Sequence, residues 1–196
     1  MTKYVLNSGG LRNNVPRAKY FFAEVVKGLG NSPRVLICYF AQPRENWEEK
    51  FEELKTTNLY PDDVHPIFEL AFPDVFEQQI RDTDALYIYG GDDNLVQYWL
   101  SKYNLPDIWK GKVVATNSAS TNALANSFWT CDWRKVMDGL NFLPIKVLPH
   151  YQSDYGKDDP RGPVDWESGL RELTQYGDTS LPVHALREGE FIVFEI

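Results

Sequence analysis

A chain of 196 residues, 43% of them hydrophobic, is long enough to bury one full core and short for two, so we expect a single domain over residues 1–196. The net charge of −8 and the lack of any basic run argue against a nucleic-acid partner, because binding to phosphates requires clustered Lys and Arg. With no stretch resembling a membrane span or a signal peptide, and with Cys38 and Cys131 in segments that give a disulfide little support, we expect a cytoplasmic protein without a membrane partner.

Short apolar runs alternate along the chain with longer amphipathic stretches, which is typical of helices packed on a largely parallel sheet. The predicted strands, in chain order, are Tyr4–Leu6, Arg34–Phe40, His65–Leu70, Ala85–Tyr89, Lys112–Thr116, Ile145–Leu148, Val183–Leu186 and Phe191–Glu195. The pattern predicts an α/β protein of three layers, with a mostly parallel sheet flanked by helices.

Helix signals lie between these strands. Pro16 begins a first predicted helix, which ends at Gly28 and Gly30, and Asn46 and Glu49 have the spacing of a capping box for a second. Asp92 or Asp93 caps a helix that contains Leu95 to Leu100. A last helix is predicted from about Asp165 to Tyr176. Two stretches, 126–141 and 151–164, fit neither a strand nor a helix. Long connections in a compact domain are usually functional or disordered, so we expect both to form walls of a site.

Three segments that could carry catalytic or binding residues follow predicted strands. In parallel sheets, ligands bind beyond the carboxyl ends of the strands. Ser118 stands between a strand and a run of small residues, where a serine hydrolase exposes its nucleophile. Gly91, in Gly90-Gly91-Asp92-Asp93, precedes a helix and could present a backbone N–H group to an anion. His150 follows the strand that ends at Leu148.

A serine hydroxyl requires a base, and histidine suits this role because its pKa lies near neutrality. His65 begins a strand, at the opposite edge of the sheet, and His184 lies within a late strand, where we interpret it as structural. His150 is therefore the predicted base. Glu188 is the best-placed acid to orient its ring, and Asp154 and Glu190 remain weaker choices.

Several segments together resemble the peptidase E family of serine peptidases, which contains aspartyl dipeptidases and cyanophycinases. They are Leu86–Asp92, Ser118-Ala119, Leu148–Tyr151 and Leu186–Gly189, in the family's order and rough spacing. The resemblance implies a fold like that of class I glutamine amidotransferases and a triad of Ser118, His150 and Glu188. It also implies an oxyanion hole made by the N–H groups of Gly91 and Ala119, and a small peptide, with N-terminal Asp, as substrate.

The chain departs from the family motif on both sides of the nucleophile, where Thr116 and Ser120 replace glycines. A β-branched Thr has little rotational freedom, so we expect it to crowd the turn and to relax or re-aim it. Two rivals therefore stay open: a non-catalytic relative that binds a small ligand or a protein, and a serine hydrolase acting on other amides or esters.

The substrate-binding residues and the oligomeric state are not determined by the sequence. An acidic substrate requires a basic partner, for which Arg134, Arg161 and Arg171 are available. Aromatic residues at Trp47, Phe128, Trp129, Trp133 and Trp166 are interpreted as packing residues. The acidic group Asp154, Asp158 and Asp159 has no regular ligand spacing, so we expect no metal and no other cofactor.

Overall fold

The computed structural model describes all residues from 1 to 196 and contains ten strands and seven α-helices. The strands are β1 (Lys3–Asn7), β2 (Arg34–Cys38), β3 (Ile67–Leu70), β4 (Ala85–Ile88), β5 (Val113–Asn117), β6 (Ala125–Thr130), β7 (Lys135–Asp138), β8 (Leu143–Leu148), β9 (Val183–Ala185) and β10 (Phe191–Glu195). The helices are α1 (Val15–Val26), α2 (Trp47–Lys55), α3 (Phe76–Arg81), α4 (Asp93–Leu100), α5 (Leu105–Ile108), α6 (Ala119–Leu124) and α7 (Trp166–Gln175).

The strands divide between two mostly parallel sheets flanked by helices, which confirms the predicted α/β class. The larger sheet has the order β10-β1-β5-β4-β2-β3, and only β10, paired with β1, is antiparallel. The smaller sheet has the order β7-β6-β8-β9, with β7 antiparallel to β6. The parallel strands β1, β4 and β5 are almost wholly buried, as their continuous apolar runs require.

The stretch 126–141 differs from the prediction, because it contains β6 and β7 rather than an irregular connection. Strand β6 follows α6 without an intervening turn, and Asn126 and Ser127 interrupt its apolar pattern. Backbone pairing with β8 on one side and β7 on the other stabilises its extended conformation, and five of its six residues are buried. The short helices α3 and α5 also lack a predicted counterpart.

Helix ends follow the local sequence in most places. The Asn14 side chain accepts a hydrogen bond from the N–H of Arg17 at the start of α1, and Asp92 rather than Asp93 caps α4. The predicted cap Asn46 makes no such bond, because a turn of 3-10 helix precedes α2. None of the helices has both the length and the apolar character needed to cross a membrane.

The end of α7 is fixed to the smaller sheet by a buried lysine. Lys146 on β8 has no exposed surface, and its ammonium donates to the backbone carbonyls of Leu173, Thr174 and Tyr176. These carbonyls belong to the last turn of the helix and the residue after it, where a cation is favoured by the helix dipole. The helix therefore holds β8, whose far end leads to His150, in a fixed position.

Candidate active site

Ser118 occupies the turn between β5 and α6 in a backbone conformation that is rare for a residue with a side chain. Its φ and ψ angles are 54° and −112°. Such a conformation costs on the order of 1–3 kcal/mol and persists only where surrounding contacts impose it. One of these contacts is the N–H of Ser118, which donates to the carbonyl of Asn7 at 3.0 Å. The sharp turn that a nucleophilic serine needs is present.

The two residues that replace glycines beside Ser118 do not relax this turn. The hydroxyl of Thr116 lies 2.7 Å from that of Thr121, which in turn donates to the carbonyl of Asn7. The hydroxyl of Ser120 donates to the carbonyl of Ile88 at 2.6 Å and accepts the N–H of Asn117 at 2.8 Å. The expected crowding is therefore wrong, because both side chains are buried and hydrogen-bonded. The Thr116 hydroxyl links β5 to Thr121 of α6, and the Ser120 hydroxyl links α6 to β4.

Ser118, His150 and Glu188 form one hydrogen-bonded chain. The Ser118 Oγ lies 2.8 Å from His150 Nε2, and His150 Nδ1 lies 3.1 Å from Glu188 Oε1. Of the two other acids, Glu190 accepts the backbone N–H of Arg187, and Asp154 is exposed. The arrangement is that of a nucleophile, a base and a residue that orients the base.

The other two histidines lie apart from this chain. His184 is in β9, where its ring packs edge-on against Phe194 with the ring centres 5.6 Å apart. His65 precedes β3, and its N–H donates to the carbonyl of Asn31. Neither borders the cavities beside Ser118.

A serine that the sequence analysis did not single out joins the loops of the triad. Ser8, fully buried after β1, accepts the N–H of His150 at 2.8 Å and donates to the carbonyl of Leu186 at 2.9 Å. The next residue, Gly9, has φ of 127°, and a side chain there would overlap the His150 ring. The Gly-Gly pair after the first predicted strand was the available signal for this segment.

Burial lowers the pKa of His150 below its ordinary 6.5, and the neighbouring Glu188 carboxylate partly opposes that shift. The ring is stacked on Tyr155, with ring centres 4.3 Å apart and planes 26° apart. Tyr155 belongs to the long connection 151–164, so this connection does form a wall of the site. At neutral pH His150 is unprotonated and able to accept the serine proton.

A cavity of about 10 Å³, the size of one water molecule, borders Ser118. Gly91 and Ala119 both line it. Ala119 is the first residue of α6, where a helix leaves its N–H groups without intrahelical partners. Gly91 has φ of 151°, and a side chain there would overlap the Ala41 carbonyl. Gly91 and Ala119, the residues predicted to form the oxyanion hole, thus line one small cavity beside Ser118.

A second cavity, of about 670 Å³, is also lined by His150 and borders Gly90, Asn117 and Glu188. Five aromatic side chains contribute to its walls, and they are Phe22, Tyr39, Tyr87, Tyr89 and Tyr155. Two cations, Arg12 and Lys50, also line it. The space is sufficient for an amino-acid residue with a large side chain.

The arginines named from the sequence lie elsewhere. Arg134 donates to the carbonyls of Arg161 and Gly162 and lies 3.8 Å from Asp159. Arg161 pairs with the same Asp159, and Arg171 is exposed on α7. None of the three lines either cavity, whereas Arg12, on the segment after β1, does.

The chain is similar to known proteins in both sequence pattern and fold. The sequence model of peptidase family S51 matches residues 5–195. A crystal structure of a peptidase from an acI-B1 Actinobacterium is 17% identical, with a TM-score of 0.65, over 99% of this chain and 83% of that chain. A putative peptidase E protein from Listeria monocytogenes EGD-e is 16% identical, with a TM-score of 0.60, over 100% of this chain and 99% of that chain. No curated protein sequence matches the chain.

Proposed function

Because the chain belongs to peptidase family S51, and is therefore a peptidase, we propose that it hydrolyses small peptides by acyl transfer through Ser118, His150 and Glu188. The observation that supports this most is the continuous chain of hydrogen bonds from the Ser118 hydroxyl through His150 to Glu188. The strained backbone at Ser118 supports it independently, since residues with strain of this kind cluster at active sites.

In the proposed reaction, the Ser118 Oγ attacks the scissile carbonyl carbon while His150 Nε2 takes the proton of the Ser118 hydroxyl. The carbonyl oxygen, now negative, is held by the N–H groups of Gly91 and Ala119, each worth about 3 kcal/mol in the transition state. His150 then gives the proton to the leaving amine, and the C–N bond breaks. Water, activated by the same ring, releases the acyl group from Ser118. Glu188 fixes the ring and stabilises its charged form.

The substrate that we propose is a dipeptide with N-terminal Asp, the preference that the family resemblance implies. A carboxylate side chain requires a cation inside the binding site. Arg12 supports the proposal, since it borders the larger cavity and forms no ion pair or hydrogen bond through its guanidinium. The absence of Arg134, Arg161 and Arg171 from the cavities removes them as candidates.

The test compares the purified protein with its Ser118→Ala variant on Asp-X dipeptides and on the same dipeptides with other N-terminal residues. We expect the variant to lose at least about a thousand-fold in kcat. Arg12→Gln should raise KM for Asp-X peptides alone, and the matched control Arg171→Gln should leave KM unchanged. If neither folded protein cleaves any peptide, the binding-protein alternative replaces the proposal. Cleavage of amides or esters that are not peptides would favour the other rival.

A further inference from the structure

The end of β1 and the loop after it contact all three members of the triad. The carbonyl of Asn7 accepts the N–H of the nucleophile at 3.0 Å. Gly9 lies against the ring of the base, and Gly10 lies against the side chain of the acid, so closely that a side chain on either glycine would overlap it. The three triad residues belong to three different loops. This one segment is therefore common to all of them.

The hydroxyl of Ser8, within this segment, links the loop of His150 to the loop of Glu188. It accepts the backbone N–H of His150 at 2.8 Å and donates to the carbonyl of Leu186 at 2.9 Å. Leu186 precedes Glu188 by two residues, and its carbonyl also accepts the N–H of Tyr151 at 2.9 Å. Ser8 has no exposed surface, so removal of its hydroxyl leaves the His150 N–H as a buried donor without a partner.

The backbone of His150 requires such a contact because its conformation is strained. Its φ angle is 60°, in the left-handed region that is costly for a residue with a side chain. The ring must also lie where Nε2 is 2.8 Å from the Ser118 Oγ and Nδ1 is 3.1 Å from the Glu188 Oε1. A shift of the His150 backbone displaces both ring nitrogens together. The bond from the His150 N–H to Ser8 therefore affects the geometry of the whole triad.

Ser8 has no contact with the space in which a substrate binds. It lines neither the small cavity beside Ser118 nor the larger cavity. In this it differs from Arg12, which lines the larger cavity, and from Ala119, which lines the small one. An effect of Ser8 on the reaction consequently passes through the position of His150.

From these contacts we propose that Ser8 is a positioning residue of the triad, whose hydroxyl holds the loop of His150 against the loop of Glu188 so that the ring meets both of its partners. The hydroxyl exchanges no proton with the substrate. It contributes to kcat because correct placement of the reacting groups lowers the barrier of the chemical step, and a misplacement of about 1 Å costs about a hundredfold in rate. The inference rests on the proposed function and names a residue on which the chemistry of that site depends.

The first experiment compares kcat and KM of the wild type and of Ser8→Ala on the best dipeptide substrate. We expect kcat to fall by about a hundredfold and KM to stay within about threefold of the wild-type value. The matched control is Thr83→Val, which removes another buried hydroxyl, one that donates to the carbonyl of Ile80 at 3.1 Å and lies outside both cavities. In urea unfolding the control should lose a similar amount of stability, and its kcat should equal that of the wild type. An unchanged kcat in Ser8→Ala, a loss confined to KM, or an equal loss of kcat in Thr83→Val overturns the proposal.

A second measurement separates this inference from the peptidase function. A fluorophosphonate forms a bond from its phosphorus to the Ser118 Oγ and releases fluoride, so the labelling rate reports the activation of the hydroxyl without a peptide. We expect Ser8→Ala to be labelled about a hundredfold more slowly than the wild type, and Thr83→Val to be labelled at the wild-type rate. In proton NMR, the resonance of the His150 Nδ1–H should move upfield in Ser8→Ala alone, because its bond to Glu188 is weakened.

These two readouts decide the proposal whether or not a peptide is cleaved. Slow labelling and a moved resonance in Ser8→Ala support it even if the protein cleaves no peptide. An unchanged labelling rate and an unmoved resonance overturn it even if the protein is an active peptidase. Ser8→Cys covers the case in which Ser8→Ala does not fold, since a thiol is a weaker hydrogen-bonding group. It should be labelled about fivefold or more slowly than the wild type, and labelling at the wild-type rate overturns the proposal.

Discussion

Asp93, which borders the small cavity beside Ser118, provides a test of the structure through folding stability. Burial raises the pKa of its carboxyl from 3.8 to about 6, despite hydrogen bonds from Asn122 and Thr130 that favour the charged form. The folded state therefore holds the Asp93 proton more tightly than the unfolded state does. Between pH 3.8 and about 6 the unfolded chain loses this proton first, so that stability falls as the pH rises through this interval.

The expected size of this effect follows from the same pKa values. One pKa unit corresponds to about 1.4 kcal/mol, so a rise from 3.8 to about 6 costs about 3 kcal/mol of stability once the carboxyl is ionised. Asn at this position is close in shape, can still accept from Asn122, and has no charge to bury. Asp93→Asn should therefore be more stable than the wild type by up to about 3 kcal/mol at pH 8, and this gain should largely disappear at pH 4.

Urea unfolding at both pH values, followed by the fluorescence of the six tryptophans, measures this difference. The control is Asp92→Asn, whose side chain caps α4, since Asn caps a helix about as well as Asp does. A gain in stability that is the same at pH 4 and pH 8, or a loss at pH 8, would refute the claim that an uncompensated carboxylate is buried beside Ser118.

Two further predictions concern the triad and the turn before α6. Glu188→Gln removes a charge that raises the pKa of His150, so the acidic limb of the profile of kcat/KM against pH should move to lower pH. We also expect kcat to fall by about a thousand-fold or more. A limb that moves to higher pH contradicts this prediction. Ser120→Gly, which restores the glycine of the family motif, should lower the free energy of unfolding by about 1–3 kcal/mol, because the Ile88 carbonyl and the Asn117 N–H lose a partner. Urea unfolding of this variant that shows no loss would mean that the hydroxyl contributes nothing.

The sequence predicted the strands of the larger sheet well because their apolar runs are short and bounded by turn residues. β10 spans Phe191–Glu195 as expected, and no other boundary in this sheet differs from the prediction by more than two residues. The strand β6 was missed because its conformation depends on β8, which pairs with it from the other side of an intervening hairpin. Pairing between distant segments leaves no periodic signal when polar residues occupy part of a strand.

The candidate site was predicted in part from pattern and in part from resemblance. The pattern alone indicates Ser118 and His150, because each follows the carboxyl end of a predicted strand, and it favours Glu188 over Asp154 and Glu190. The family order then supports the same three residues. Ser8 and Arg12 were missed because neither type of residue is distinctive in a loop. Their roles depend on where the first strand ends relative to the loops that carry His150 and Glu188.

The turn at Ser118 shows how a chain with Thr116 and Ser120 at the motif's glycine positions can hold a sharp, strained turn. Glycine permits a strained turn by removing steric cost, but it contributes no contact that holds the turn in place. Here Thr116 and Thr121 form hydrogen bonds that converge on the Asn7 carbonyl, which also accepts the Ser118 N–H. The strain at Ser118 is therefore offset by bonds to β1, the same strand that leads to Ser8 and so to His150. Because one strand end fixes both residues, the distance between the serine and the histidine depends on the hydroxyls around them as much as on the triad itself.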